Sequence, residues 1–248
     1  MKGKFRDTPA ILGLREPPVV DKQTWLQRKK QKLQDFTDYE KAFAAHAAER
    51  RHLVEEATKS YFADAHEMRK HGGKMYYAPS QLTQPDKSGY MPDFEGSDLL
   101  RQTTHTTEKL VNNITLMSFV YAKFGENHVN SFIDPFLEKF KDVEGVQTLE
   151  VNVQENYLKQ FILKAFVPSI RKSLTEERAS NYVLIYKDIK KTRKMLDMTN
   201  EYIGYVYLVD QDCKIRWMAH GDATPEEVAN MLAMTDYLND KRLKLSRS

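Results

Sequence analysis

The block GYVYLVDQDCKIRWMAHGDATPEEVANML, Gly204 to Leu232, constrains this chain more than any other stretch. Tyr205 to Val209 reads as a strand, Gln211-Asp212 as a tight turn, and Lys214 to Met218 as the returning strand. Gly221 allows a bend. Thr224 then caps a helix, Pro225 takes its first position, and Glu227 closes a T-x-x-E capping box. Val228, Met231 and Leu232 are expected to face inward. An antiparallel hairpin followed by a packing helix needs a sheet edge to join and a face to cover.

The upstream sequence supplies both. Asn113 to Tyr121 is an apolar, β-rich run and predicts a buried strand. Val129 to Phe140 predicts a helix, in which Pro135 either makes a kink or opens the helix with Asp134 as its cap. Val146 to Val153 predicts a second strand. Glu155 to Lys172 predicts an amphipathic helix with a kink at Pro168. Asn181 to Tyr186 predicts a third strand and Asp188 to Leu196 a short basic helix. Strands alternating with helices indicate an α/β fold with a mixed sheet covered by helices. The terminal hairpin and helix make this a thioredoxin-like (peroxiredoxin-like) plan.

The N-terminal part is different. Residues 1–20 carry Pro9, Pro17 and Pro18 and read as an extended arm. From Asp21 to Lys70 there is neither Pro nor Gly, and Phe36, Phe43, Ala47, Val54, Ala57, Tyr61, Ala65 and Met68 recur at helical intervals. That is one face of a long N-terminal helical extension. Residues 72–113 look irregular, with Pro79, Pro85 and Pro92 among them. The expected organisation is therefore an arm and long helix over 1–73, a connecting strap over 74–112, the thioredoxin-like domain over 113–236 and a basic tail over 237–248. The chain has no 18-residue apolar window, so no segment is expected to span a membrane. Lys2, Lys4 and Arg6 are not followed by an apolar run, unlike a secretory signal. The start resembles a mature form or one whose presequence is not included.

The chemistry a thioredoxin-like chain is expected to perform needs thiols, and this chain has one cysteine, Cys213. One cysteine excludes an internal disulfide, a Cys-x-x-Cys pair and a four-cysteine zinc site. The reactive thiol of such folds lies after the first core strand, at the N-terminus of the next helix, where the helix end lowers its pKa. Here that segment is Ala122-Lys123-Phe124-Gly125-Glu126-Asn127-His128, with no Cys, Ser or Thr. Cys213 falls in the distal turn and reads as an ordinary turn or edge residue. The seven histidines (His46, His52, His66, His71, His105, His128, His220) form no H-x-x-x-H or H-E-x-x-H pair. Phosphate-binding glycine motifs and a G-x-S-x-G elbow are missing as well. No catalytic residue, metal ligand or cofactor is expected, and the chain is not expected to be an enzyme.

Contact with partners is the remaining class of function. Arg216 and Trp217, on the returning strand, read equally as a partner surface at a sheet edge or as interior residues. Phe36, Phe43 and Tyr61 form an aromatic stripe on the long helix and are candidate partner contacts. Lys22, Arg28, Lys29, Lys30 and Lys32 form a run without an acid, and Lys190, Lys191 and Arg193 form a second basic group. A solvated helix face is the plain reading of such runs. Contact with phosphate or anionic lipid is the sharper one, carried by Arg28, Lys29, Lys30, Lys190, Lys191 and Arg193. The net charge of +3 does not by itself indicate a nucleic-acid binder.

Five blocks together carry a resemblance: GLREPP, MPDFEGSDLL, NNITLMSFVYAKFGENHVNSFIDPFLEKF, YLKQFIL with IRKSL, and GYVYLVDQDCKIRWMAHGDATPEE. They resemble the mitochondrial ATP synthase assembly factor family that chaperones newly made subunit a. The resemblance covers most of residues 10–235. It departs from the family in the run Arg216-Trp217-Met218-Ala219-His220-Gly221. It implies a non-enzymatic, thioredoxin-like chaperone held peripherally on the matrix side of the mitochondrial inner membrane. Its partners would be subunit a and the c-ring, with no cofactor. An alternative reading is a structural or RNA-contacting subunit of a large mitochondrial assembly, such as the mitochondrial ribosome, whose basic runs meet RNA phosphate.

Overall fold

The computed structural model describes residues 12–20, 73–154, 167–172 and 174–245. The expected helix over 21–70 and the first part of that over 155–172 lie outside the described residues. Twelve labelled elements follow in the order β1 (Glu95–Ser97), β2 (Thr103–His105), α1 (Thr106–Leu110), β3 (Ile114–Val120), α2 (Lys123–Phe140), β4 (Val146–Val153), α3 (Glu176–Ser180), β5 (Tyr182–Ile185), α4 (Lys190–Met195), β6 (Tyr205–Val209), β7 (Ile215–His220) and α5 (Pro225–Leu245). Residues 167–172, around Pro168, are helical.

The strands form one sheet in the order β2-β1-β5-β4-β3-β6-β7. β3, β4 and β5 run parallel, joined by crossovers, whereas β6 pairs antiparallel with β3 and β7 antiparallel with β6. The unit β3-α2-β4 followed by β6-β7-α5 is the thioredoxin-like arrangement. β3 is buried at every position because it has a strand on each side and packed layers on both faces. Its side chains alternate between those layers. Ile114, Leu116 and Val120 pack with α2, α5 and Trp217. Met117 and Phe119 pack on the other face with Ile189, Leu196 and Met198 around α4 and with Met75, Tyr76, Met91 and Phe94 from the strap.

Three expectations change. First, α2 begins at Lys123, with Ala122 as its N-cap, so Pro135 lies inside the helix and Asp134 is not a cap. The apolar stripe Val129, Phe132, Ile133, Phe136 and Phe140 packs strongly enough to hold a helix through a proline that removes one backbone hydrogen bond. Second, the strap is not wholly irregular. It supplies β1, β2 and α1, and β1 extends the sheet beyond β5. Third, α5 continues to Leu245, through residues expected to form a basic tail.

The described part of the arm joins the body at Gly13, whose N–H donates to the Met195 carbonyl at 3.2 Å, and at Leu14. Leu14 bridges Tyr90, which in turn bridges Lys214. Gly13 (φ +90) allows this approach, since a Cβ there would lie 2.3 Å from the Tyr90 carbonyl oxygen.

Candidate functional site

The place where thioredoxin-like chains keep their chemistry is the N-terminus of α2. Ala122 leaves β3 with extended backbone and caps the helix without a side-chain hydrogen bond. Phe124 is about half exposed and meets the His128 ring edge-on at 5.1 Å. Gly125 packs against Gly204, the residue that enters β6, where a Cβ would lie 2.3 Å from the Gly125 carbonyl. This contact brings the Gly204 N–H to His128 Nδ1 at 3.2 Å. Nδ1 is therefore the acceptor and Nε2 carries the proton, 4.0 Å from Asp222 Oδ1. Burial lowers the His128 pKa, and the Asp222 charge opposes that shift in part.

Beside it, Lys74 carries a charge inside the protein. Its Nζ donates to the carbonyls of His220 (2.9 Å) and Asp222 (2.8 Å) and to Glu227 Oε2 (2.6 Å). Those bonds use all three ammonium protons. Burial lowers the Lys74 pKa, while Glu227 acts to raise it. Glu227 also accepts the Ala78 N–H at 2.8 Å and the Thr224 N–H at 2.9 Å, and Thr224 Oγ1 accepts the Glu227 N–H at 3.2 Å. The expected capping box is thus present and doubles as the counter-charge for Lys74. His220 Nε2 accepts the Met75 N–H at 2.8 Å. Ser131 Oγ donates to the His128 carbonyl and accepts the Ala223 N–H. This network ties the strap, α2, the end of β7 and the start of α5 together. An ammonium with every proton committed has no lone pair to attack or abstract with, so Lys74 holds structure here.

The hairpin block does related work along the β7 edge. Trp217 Nε1 donates to the Pro79 carbonyl at 2.7 Å, and its ring lies edge-on to Phe132. Arg216 Nε donates to the Thr83 carbonyl at 2.8 Å, and its Nη1 pairs with Asp210 at 3.0 Å. Thr83 N–H donates to the Arg216 carbonyl, Ile215 N–H to that of Gly89, and Met91 N–H to that of Cys213, each at 2.8 Å. Lys214 Nζ reaches the Pro85 carbonyl at 2.7 Å. The sheet edge is covered by the strap.

Several predicted contacts are corrected by this geometry. Trp217 is 2% and Arg216 5% exposed, so neither is a partner surface. Cys213 lies at the turn, with φ 62, but its side chain is buried in the core rather than at an edge. Burial, with Asp210, Asp212 and Asp93 nearby, pushes its thiol up to about 11. Arg193 is buried as well, pairing with Glu201 at 2.6 Å and lying 5.4 Å from the Tyr121 ring centre, which removes it from the phosphate contacts. Lys191 is exposed, and Lys190 is half-buried beside Asp188. Phe36, Phe43, Tyr61, Arg28, Lys29 and Lys30 lie outside the described residues.

Sequence reasoning missed Lys74, His128 and His220. Glu227 gave the one signal, through its capping box. Lys74 stood in a stretch without periodicity, and nothing local links it to a residue so far along the chain. Among the described residues, no helix is long and apolar enough to cross a membrane, and no group of three or more His, Cys, Asp or Glu could hold a metal ion.

The family model described as ATP10 protein matches residues 4–238. A relative from Schizosaccharomyces pombe, named "Probable mitochondrial ATPase complex subunit atp10", is 27% identical over 191 residues, 77% of this chain and 70% of its own length. The mitochondrial ATPase complex subunit ATP10 of Saccharomyces cerevisiae is 27% identical over 196 residues, 71% of this chain and 68% of its own. Among solved structures, a DsbF homologue from Corynebacterium diphtheriae covers 63% of this chain and 91% of its own at 14% identity, with a TM-score of 0.45.

Proposed function

The chain belongs to the ATP10 protein family, and from that membership we propose that it is an assembly factor of the mitochondrial ATPase complex. It binds newly made subunit a and aids its association with the c-ring. It acts peripherally at the matrix side of the inner membrane and catalyses no reaction. The observation that carries this reading is the family match over nearly the whole chain, joined to relatives named as mitochondrial ATPase complex subunits.

Two physical arguments support the finer statements. A membrane subunit made before its partners exposes helix faces that later pack against the ring, and these need temporary cover. The thiol chemistry of the fold has no means here: the one cysteine is buried with a raised pKa, and the α2 N-terminus carries Lys123 and Phe124 where a thiol would sit. Client contacts are assigned to Phe36, Phe43 and Tyr61, and anionic-lipid contacts to Arg28, Lys29, Lys30, Lys190 and Lys191. The test is capture of the chain from gently solubilised mitochondria after pulse labelling of newly made subunits. Labelled subunit a is expected in the captured fraction, and depletion of the chain is expected to slow its joining to the c-ring. Capture without any ATP synthase subunit would overturn the reading.

A further inference from the structure

The C-terminal part of α5 runs past the body that the helix covers. Leu238 is its last buried residue. Arg242 still reaches back, its Nη2 donating to the Glu144 carbonyl at 2.6 Å. Around that anchor the helix is open. Tyr237 and Leu245 are each 59% exposed and Leu243 is 37% exposed. Lys241 and Lys244 are exposed as well. Tyr237, Lys241, Lys244 and Leu245 stand at i, i+4, i+7 and i+8, so they share one face of the helix. Acids are few beside them. Asp236 is paired with Lys139, and Asp240 lies at the edge of the face. From Asn239 to Leu245 there are three cations, Lys241, Arg242 and Lys244, and one carboxylate.

Cations in a last helical turn are accounted for by the helix macrodipole alone. Exposed leucines and a tyrosine ring among them are not. The combination has a definite complement, the boundary between water and an anionic bilayer. There leucines enter the acyl boundary, a tyrosine ring sits at headgroup level, and ammonium groups meet lipid phosphate. We propose that the face of α5 bearing Tyr237, Lys241, Lys244 and Leu245 binds the surface of an anionic membrane. The inference rests on the reading of the chain as a peripheral membrane protein and names a surface of the folded body through which it attaches. Charge complementarity selects the occupant, and the leucines select among its sources. Nucleic-acid phosphate would meet the cations but leave Leu243 and Leu245 in water.

The test is flotation of the full chain with vesicles of phosphatidylcholine alone and of phosphatidylcholine with about one-third phosphatidylglycerol. Binding is expected to the anionic vesicles only, and salt at about 0.5 M is expected to weaken it. Lys241→Gln with Lys244→Gln is expected to weaken it about tenfold. Tyr237→Ser with Leu245→Ser is expected to weaken it to a similar degree. All four positions are exposed, so both double variants are expected to melt like the parent chain, which reports on folding separately. A polarity-sensitive dye on Leu245→Cys is expected to shift to the blue with anionic vesicles. The same dye on Glu226→Cys, exposed at the other end of α5, is expected to stay unshifted. Cys213 is buried and does not compete for the dye. Parent-like binding in both double variants, or an unshifted dye on Leu245→Cys, would overturn the proposal. Retention on single-stranded RNA in place of anionic vesicles, lost in Lys241→Gln with Lys244→Gln, would make nucleic acid the occupant and overturn it too. Lys190→Gln with Lys191→Gln separates this inference from the reading beneath it. If that variant loses vesicle binding while both α5 variants keep it, the chain remains a peripheral membrane protein and only the α5 proposal falls. A parent chain that floats with neither vesicle would overturn both.

Discussion

A buried indole that also donates a hydrogen bond costs a protein twice when it is removed. Trp217→Ala would lose the packing against Phe132 and leave the Pro79 carbonyl without its donor. The expected destabilisation is about 3–5 kcal/mol, read by urea denaturation. Trp217→Phe keeps much of the bulk and loses the donor, and about 1 kcal/mol of its loss is expected to come from the hydrogen bond. If Trp217→Ala melted like the parent chain, the residue would not be in the core. His128 gives a pH dependence of definite sign. Its pKa is lowered from 6.5 in the folded chain, so the unfolded chain takes up the proton first. Its contribution is complete above pH 6.5 and is lost as the pH falls from there through the lowered folded value. Asn at this position can still accept the Gly204 N–H. His128→Asn is therefore expected to flatten the fall in stability on acidification, measured as denaturation midpoints against pH for both proteins. An identical slope would remove His128 as its source.

At the scale of elements, legibility in the sequence followed periodicity. The strand Val146–Val153 has the expected bounds, and the β6–β7 hairpin and the α5 cap stand where their local signals put them. Those signals are local: alternation, a turn pair, a capping box. The strap was not legible because its order comes from distant partners. Thr83 and Gly89 bond to β7, Ala78 bonds to Glu227, and β1 meets β5 through Ser97 and Leu184. The polar network was hidden for the same reason, since Lys74 and its counter-charge Glu227 lie 153 residues apart in the chain. Its energetics make a prediction about the strap. Lys74→Met leaves Glu227 buried without its cation, an expected loss of about 3–5 kcal/mol. Lys74→Met with Glu227→Gln removes both charges and is expected to recover a large part of that loss. Limited proteolysis at the strap, beside denaturation, checks the element directly. Cleavage between Met75 and Tyr90 should rise in the single variant and fall back in the double. Equal sensitivity in the two variants would mean that the unpaired charge is not what releases the strap.

For the whole molecule, the question is what a thioredoxin-like architecture does with a single, buried cysteine. The end of the sheet at the α2 N-terminus joins strap, helix and hairpin into one body through Lys74, His128, His220 and Glu227. The only sulfhydryl is at the opposite end of β6, past Val209, at a buried turn. Two barriers stand before it. With a pKa of about 11, only ~0.1% of the thiol is ionised at pH 8. Its side chain is also closed off, so a disulfide reagent reaches it only after an opening of the fold. In unfolded chain both barriers vanish and the thiol returns to its ordinary range, near 8.5. Native chain is therefore expected to react slowly with an aromatic disulfide reagent at pH 8. Its rate should rise with urea in step with the unfolded population. No turnover is expected in an insulin-reduction or peroxide assay, because the attacking thiolate is both buried and scarce and the chain holds no second thiol to resolve the product. Prompt stoichiometric labelling of the folded chain would contradict the buried turn. Turnover abolished by Cys213→Ser would restore thiol chemistry to this molecule and overturn the non-enzymatic part of the proposed function.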